Sequence, residues 1–217
     1  MSAFSYTNME VVVLGKLKKY VPTKFKAKNS VYSKEAADRA VCFIESLKHT
    51  DGVWYKKPFE LLDWQEQIIR DVFGTLKPNG YRQFNTAYIE IPKKQGKSEL
   101  AAAIALYLLC GDGEPGAEIY SCAADRQQAG IVFKVARLMV QKSKALSRHV
   151  VIRESTKTLE FPLTNSKYKV LSSDPFRSEG YNVHGVIFDK LHVQPNRKLY
   201  DTITKGSGDA RTQPLFF

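Results

Sequence analysis

The sequence predicts an α/β fold in which helices cover both faces of a mostly parallel sheet. From about residue 86 onward, short strand-like segments alternate with apolar or amphipathic segments of helical length, which is typical of strand–helix–strand units. In addition, 43% of the 217 residues are hydrophobic and 12% are aromatic. A chain of this length and composition can bury a core without disulfide bonds and is not a disordered one.

Two helices are expected ahead of the alternating region. The first covers residues 33–48, with Ser33 as its cap and apolar residues at three- to four-residue spacing. The second covers residues 63–73. Residues 1–30 are rich in lysine, and we interpret them as a basic N-terminal arm that tracks phosphates or is simply solvated. Residues 31–217 are expected to form one domain.

The alternating region is expected to contain nine elements. They are a strand over 86–91, a helix over 97–110, a strand over 117–122, a helix over 126–140, short strands over 150–153, 158–161 and 168–171, a buried strand over 185–189, and a helix over 196–204.

Charge and cysteine content limit the function classes. The longest apolar run, residues 100–110, has eleven residues, whereas a membrane span needs about 20, so no membrane association is expected. The three cysteines form no Cys-x-x-Cys pair, which argues against structural zinc. The net charge is 33 − 22 = +11, which favours a nucleic-acid partner, although a basic surface can also serve solubility alone.

A phosphate-binding loop is predicted between the strand at 86–91 and the helix at 97–110. Gly96-Lys97-Ser98 matches the end of a Walker A loop, in which the lysine reaches the β- and γ-phosphates and the hydroxyl ligates Mg²⁺. The position five residues before Gly96, usually glycine, holds Ile91. The alternative is an ordinary basic turn, and the strand–loop–helix context favours the phosphate loop.

An acidic strand end supplies the second half of the predicted site. Asp189 follows three apolar residues, as a Walker B carboxylate does, and would hold Mg²⁺ beside Ser98. The alternative is a carboxylate that caps the next turn. The following position, where a glutamate usually polarises the attacking water, holds Lys190. A protonated lysine cannot accept a hydrogen bond from water, so we expect impaired hydrolysis.

Four motifs in this order resemble the N-terminal ATPase domain of the large terminase subunit of tailed bacteriophages, the DNA-packaging motor. The motifs are residues 59–65, 89–98, 120–129 and 180–197. In that family the Walker A loop also lacks its first glycine. The family has glutamate in place of Lys190 and continues into a coupling motif and a nuclease domain. The resemblance therefore implies that residues 31–217 are a C-terminally truncated terminase ATPase domain without the nuclease domain.

The resemblance implies a P-loop NTPase fold of the additional-strand (ASCE) type and the cofactors ATP and Mg²⁺. It also implies double-stranded DNA, a portal protein and a small terminase subunit as partners, assembly into a homo-oligomeric ring, and a location in the host bacterial cytoplasm. The ATP-binding residues would be Gln65, Lys93, Lys94, Gln95, Gly96, Lys97 and Ser98. The metal ligands would be Ser98 and Asp189. The catalytic positions would be Lys97, Asp189, Lys190 and Arg177.

Three of these side chains have ordinary alternatives. Gln65 could contact both edges of adenine, since an amide offers an acceptor and two donors, or it could be a surface glutamine at a helix start. Lys93 could sense the γ-phosphate or be a solvated lysine. Arg177 could be an arginine finger toward a neighbouring subunit, but its register is loose and a structural role is favoured.

Three functions stay open at this point. The first is an ATP-driven motor domain that packages double-stranded DNA into a capsid. The second is a catalytically silent prophage remnant that binds nucleotide or DNA. The third is a fragment of a superfamily 2 helicase, against which the sequence around Gln95 and Asn196 fits terminases better.

Overall fold

A computed structural model describes residues 20–92, 94–123, 126–171, 182–191, 196–205 and 213–217. The helices are α1 (Lys34–Glu45), α2 (Asp63–Gly74), α3 (Lys97–Cys110), α4 (Arg126–Lys142), α5 (Lys144–His149) and α6 (Lys198–Lys205). The strands are β1 (Val31–Tyr32), β2 (Thr75–Leu76), β3 (Glu118–Cys122), β4 (Val151–Arg153), β5 (Thr158–Phe161), β6 (Ser166–Val170), β7 (Val183–Phe188) and β8 (Leu215–Phe216).

The main sheet has six strands in the order β4-β5-β6-β3-β7-β8. The pairs β6–β3, β3–β7 and β7–β8 are parallel, whereas β4, β5 and β6 form an antiparallel meander at one edge. The predicted mostly parallel sheet is therefore confirmed. Because the parallel strands share one direction, the loops that follow β3, β7 and the phosphate-loop segment leave from the same edge.

Helices pack on both faces of this sheet, as predicted. Alternate residues of β3 and β7 point to opposite faces, because the side-chain period of a strand is two. Ile119 and Ile187 belong to the core that contains α3 and α4, whereas Tyr120 and Val186 lie in a cluster with residues of α6. From Leu100 to its end, every residue of α3 except Ala101 is buried, which explains why its sequence is apolar all round.

The regular strand predicted over residues 86–91 is wrong. Only residues 85–87 pair with the sheet: Thr86 forms a parallel bridge with Phe216, and the N–H group of Ala87 donates to Phe216 O over 2.8 Å. The segment has β8 as its neighbour, and the β8 strand is two residues long, so the ladder stops there. Tyr88, 71% exposed, lies beyond the paired part.

This pairing places β8 between the phosphate-loop segment and β7. It is the additional strand that the resemblance implied. Neighbouring strands lie about 4.8 Å apart, so one interposed strand separates the phosphate-loop segment from β7 by about 10 Å. The loop and the end of β7 therefore flank one crevice at the carboxyl edge of the sheet.

A buried ionic cluster fixes β7 and the entrance to β8 against the end of α3. Asp112, next to the end of α3, accepts from Arg82 Nη1 at 2.5 Å and pairs with His184 Nε2 of β7 at 2.7 Å. The backbone N–H of Arg82 also donates to Gln213 Oε1 over 3.2 Å. Burial would raise the pKa of Asp112, but Arg82 and His184 outweigh burial and hold it below its usual range.

The described part of the basic arm lies along α2. The Tyr20 hydroxyl donates to Asp71 Oδ1 at 2.5 Å, and the N–H of Thr23 donates to the same oxygen at 3.1 Å. Gln67 Nε2 donates to Val21 O at 2.8 Å. The remaining residues of the arm, 1–19, lie outside the described part of the chain.

The three cysteines lie in α1, α3 and β3. Cys42, Cys110 and Cys122 form no disulfide with one another, and the last two are buried. Within the described ranges, no group of three or more His, Cys, Asp or Glu side chains is gathered as a metal site. None of the helices described here has the length and apolar character needed to cross a bilayer.

Candidate nucleotide-binding site

The loop before α3 has the backbone shape of an anion-binding turn. Gly96 caps the helix in the left-handed conformation, at φ 73°, and Lys94 also has positive φ, at 65°. Glycine adopts this conformation without the strain that a side chain would add. The first backbone bond of α3 runs from Leu100 N–H to Gly96 O over 3.0 Å, and the N–H groups of the first turn face the loop. They offer donors and the positive end of the helix dipole to an anion.

Lys97 and Ser98 occupy the first turn of α3, as predicted. The ammonium group of Lys97 donates to Ile91 O over 3.0 Å, so its side chain folds back over the loop. Both side chains are half-buried, whereas Lys94, Gln95 and Gly96 are exposed. A lysine and a serine thus begin α3 directly after the loop.

Gln65 lies against the loop from α2. Its Oε1 accepts the N–H of Leu62 at 2.9 Å and so caps α2, and the side chain is 5% exposed. A Cβ placed on Gly96 would lie 3.8 Å from Gln65 Nε2. The acceptor half of the amide is therefore engaged within α2, and the donor half faces the loop. An adenine contact through both halves would require this cap to break.

Asp189 and Lys190 lie at the end of β7. The N–H of Asp189 donates to Cys122 O over 3.0 Å, which fixes the turn against the end of β3, and the carboxylate is partly exposed. Lys190 is exposed and takes the left-handed conformation, with φ 57°. The predicted Walker B carboxylate thus lies at the same sheet edge as the phosphate loop, next to a lysine at the usual glutamate position.

Glu99 is a residue of this region that the sequence reasoning missed. It follows Ser98 in the first turn of α3, where a carboxylate would lie close to a bound anion. Its Oε1 accepts two hydrogen bonds of 3.0 Å from Thr50, and its Oε2 pairs with His49 Nδ1. The signal in the sequence was an acidic residue directly after Lys97-Ser98, but its partners lie 49 and 50 residues away.

Two of the proposed site residues, Lys93 and Arg177, lie outside the described residues. Their roles remain predictions from the sequence.

Comparisons with known proteins identify the family of this chain. The model of the family described as "Terminase large subunit, ATPase domain" matches residues 63–216. The terminase large subunit of Enterobacteria phage HK97 is 32% identical over 182 residues, which are 82% of this chain and 35% of that protein. The terminase large subunit of Lactococcus phage p2 is 27% identical over 126 residues, which are 57% of this chain and 23% of that protein.

The fold of this chain is similar to that of a solved terminase structure. The crystal structure of the HK97 bacteriophage large terminase is similar with a TM-score of 0.70 at 30% identity, over 83% of this chain and 36% of that one. The chain spans about a third of the length of the HK97 protein. The family model matches well over half of the chain, and the sheet has the additional strand of that fold. The chain therefore belongs to the family of terminase large subunits, within the part that forms their ATPase domain.

Proposed function

We propose that this chain is the ATP-binding motor domain of a phage terminase large subunit and powers the packaging of double-stranded DNA into a capsid. The observation that carries the proposal is the pairing of Lys97 and Ser98 at the start of α3 with Asp189 at the same sheet edge, with β8 between them. The terminase family assignment favours this function over a helicase fragment.

In the proposed site, the first-turn N–H groups of α3 bind the phosphates, and Lys97 exchanges its bond to Ile91 O for a charge-assisted bond to the β- and γ-phosphates. Lys94, Gln95 and Gly96 supply the loop around them, with Lys93 as the further candidate. Gln65 Nε2, which would lie 3.8 Å from a Cβ built on Gly96, is the proposed donor to the base.

Mg²⁺ fits the donor set of this edge. The Ser98 hydroxyl and the Asp189 carboxylate are hard oxygen ligands, and Mg²⁺ is usually held by one or two protein oxygens together with substrate phosphates. Neither side chain is fully buried. When bound, the ion would neutralise charge on the phosphates, while Ser98 and Asp189 hold it in the crevice.

The same proposal extends to the partners. Double-stranded DNA, a portal protein and a small terminase subunit are the proposed partners of a homo-oligomeric ring in the host bacterial cytoplasm. The net charge of +11 supports the DNA partner. Arg177 is the candidate for a charge donated to a neighbouring subunit of that ring.

The test is ATP binding. Equilibrium dialysis with MgATP should show binding by the wild type and a loss of about 10-fold or more for Lys97→Ala, because a hydrogen bond to a charged group contributes about 1.5–3 kcal/mol. Lys134→Ala, which removes an exposed lysine from α4, is the matched control and should bind as the wild type does. Equal affinity of all three proteins would refute the assignment of the loop.

A second candidate is a protein that binds nucleotide but turns it over slowly or not at all. The observation that favours it is Lys190, which stands exposed directly after Asp189 where the family has a glutamate. A phosphate-release assay on the same preparation separates the two candidates, since both bind ATP and only the first hydrolyses it at an appreciable rate.

A further inference from the structure

Residues 51–57 form an exposed loop, which we name the aromatic–lysine loop. Its residues Val53, Trp54 and Tyr55 are 81%, 56% and 51% exposed. Among the described residues, no other three consecutive large apolar side chains are exposed. Contiguous apolar exposure of this kind marks an interaction surface, because water disfavours it without a compensating role.

The loop is held in one shape by its backbone. The N–H of His49 donates to Lys57 O at 3.0 Å, and the N–H of Lys56 donates back to His49 O at 3.1 Å. A further bond of 2.8 Å runs from Lys57 N–H to Trp54 O. Lys56 takes the left-handed conformation, with φ 66°. The exposed side chains are therefore presented by a closed loop, so binding would not have to order it first.

Three lysines surround the two rings. Lys57 Nζ lies 4.8 Å from the centre of the Trp54 ring, and Lys56 Nζ and Lys142 Nζ lie 5.2 Å and 4.1 Å from the centre of the Tyr55 ring. In the part of the chain that the structure describes, none of the three takes part in an ion pair. The nearby carboxylate of Asp51 accepts the N–H of Gly52 at 2.7 Å.

Three ammonium groups that have no ion-pair partner among the described residues complement a polyanion. The lysines lie over the two rings, so a base could stack on Trp54 or Tyr55 only by displacing them. A duplex keeps its bases inside and presents phosphates at its surface, which this arrangement matches better than it matches a single strand. We propose that the aromatic–lysine loop and Lys142 bind the phosphate backbone of double-stranded DNA.

The surface is joined to the nucleotide loop. The rings of Trp54 and His49 have their centres 6.0 Å apart, and His49 pairs with Glu99 in the first turn of α3. Glu99 directly follows Ser98. The proposed DNA contact is thus connected through His49 and Glu99 to the helix that follows the phosphate loop. This inference rests on the proposed function of that loop.

The experiment compares two triple variants that lose the same charge. Lys56→Gln/Lys57→Gln/Lys142→Gln removes the proposed contacts, and Lys77→Gln/Lys134→Gln/Lys198→Gln removes three exposed lysines elsewhere. Affinity for a labelled random-sequence duplex is measured by fluorescence anisotropy from low to physiological salt. The loop variant should bind at least about 10-fold more weakly, and its slope of log affinity against log salt should be shallower by about 3, since each phosphate contact contributes about 0.9. The control should change its slope by less than about 1.

A second measurement follows the fluorescence of the Trp54 ring. The chain has two tryptophans, so Trp64→Phe leaves Trp54 as the single indole, and its emission should change as duplex is added. Equal salt slopes for the two triple variants together with unchanged Trp54 emission would overturn the inference. Wild-type binding of both ATP and DNA in that case would leave the proposed function standing. A wild type that binds ATP but no duplex at any salt would overturn this inference and the DNA part of the proposed function together.

Discussion

Glu99 Oε1 accepts two hydrogen bonds from Thr50, one from its backbone N–H and one from its hydroxyl, each 3.0 Å long. The other carboxylate oxygen pairs with His49, whose ring stacks on Phe59 with the ring centres 4.7 Å apart. A carboxylate in the first turn of α3 would repel a phosphate at the helix start. These bonds hold the charge of Glu99 toward the segment that follows α1 instead.

Removing this carboxylate should destabilise the fold. In Glu99→Ala the two Thr50 donors lose their acceptor, and Thr50 is 6% exposed, so the free energy of unfolding should fall by about 1–3 kcal/mol. Urea denaturation measures the change. Glu154→Ala is the control, because Glu154 is exposed in its pair with Arg137 and such pairs contribute about 0–1 kcal/mol. Equal losses for the two variants would show that the Thr50 bonds contribute nothing beyond a surface ion pair.

Asp112 lies at the centre of the buried ionic cluster. Removing its charge should lower the free energy of unfolding more than Glu99→Ala does. Asp112→Asn leaves the Arg82 guanidinium, with a side chain 3% exposed, without a charged partner. An unpaired buried charge of this kind costs about 3–5 kcal/mol. Thermal unfolding should show the loss, and the double variant Arg82→Met/Asp112→Leu should recover part of it, since no charge is left stranded. A double variant less stable than Asp112→Asn would contradict this account.

The local parts of the site could be read from the sequence, and the non-local parts could not. The bounds of α3 were predicted, because Gly96 and Gly111 flank the segment that contains the apolar run. The position of β8 between the phosphate-loop segment and β7 was not predicted, because the two residues Leu215–Phe216 do not indicate with which strands they pair. Side-chain partners were missed for the same reason: Asp112 and His184 are 72 residues apart.

Glu45 on α1 predicts a pH effect on stability. Burial, opposed by a bond from the Leu61 N–H and assisted by the charge of Glu66, raises the pKa of Glu45 from 4.5 to about 7. Folding therefore favours the protonated form. The stability from this group is complete below about pH 4.5, falls as the pH rises toward 7, and is lost above that.

Glu45→Gln should accordingly match the wild type near pH 4.5 and exceed it at pH 8. The expected gain at pH 8 is about 1–2 kcal/mol, since partial exposure reduces the effect of the shift. Denaturation at both pH values gives the comparison. Glu35→Gln, on the exposed face of the same helix, is the control and should not gain stability over the wild type between pH 4.5 and pH 8. A gain for Glu45→Gln that is already complete at pH 4.5 would contradict the raised pKa.

Lys190 gives the prediction that bears most directly on catalysis. Lys190 directly follows Asp189 at the end of β7, so a glutamate built there would take the position at which the resemblance to terminases leads us to expect the catalytic carboxylate. A lysine ammonium group offers hydrogen-bond donors only, so it cannot orient the attacking water as an acceptor. ATP binding should therefore persist in the wild type while hydrolysis is slow.

Lys190→Glu should raise the rate of phosphate release by about 10²–10⁴-fold, the usual contribution of assistance to the attacking water. The left-handed backbone at this position, φ 57°, is equally strained for lysine and glutamate, so the exchange adds no new conformational cost. Lys190→Gln is the matched control, because it removes the positive charge without supplying a base. The assay is phosphate release with Mg²⁺ and duplex DNA under identical conditions. A wild type that already hydrolyses ATP rapidly, at a rate that neither variant changes, would place the group that orients the water elsewhere in the chain. If Lys190→Gln raised the rate of phosphate release as much as Lys190→Glu, the lysine would slow hydrolysis by its charge and not by replacing a catalytic carboxylate.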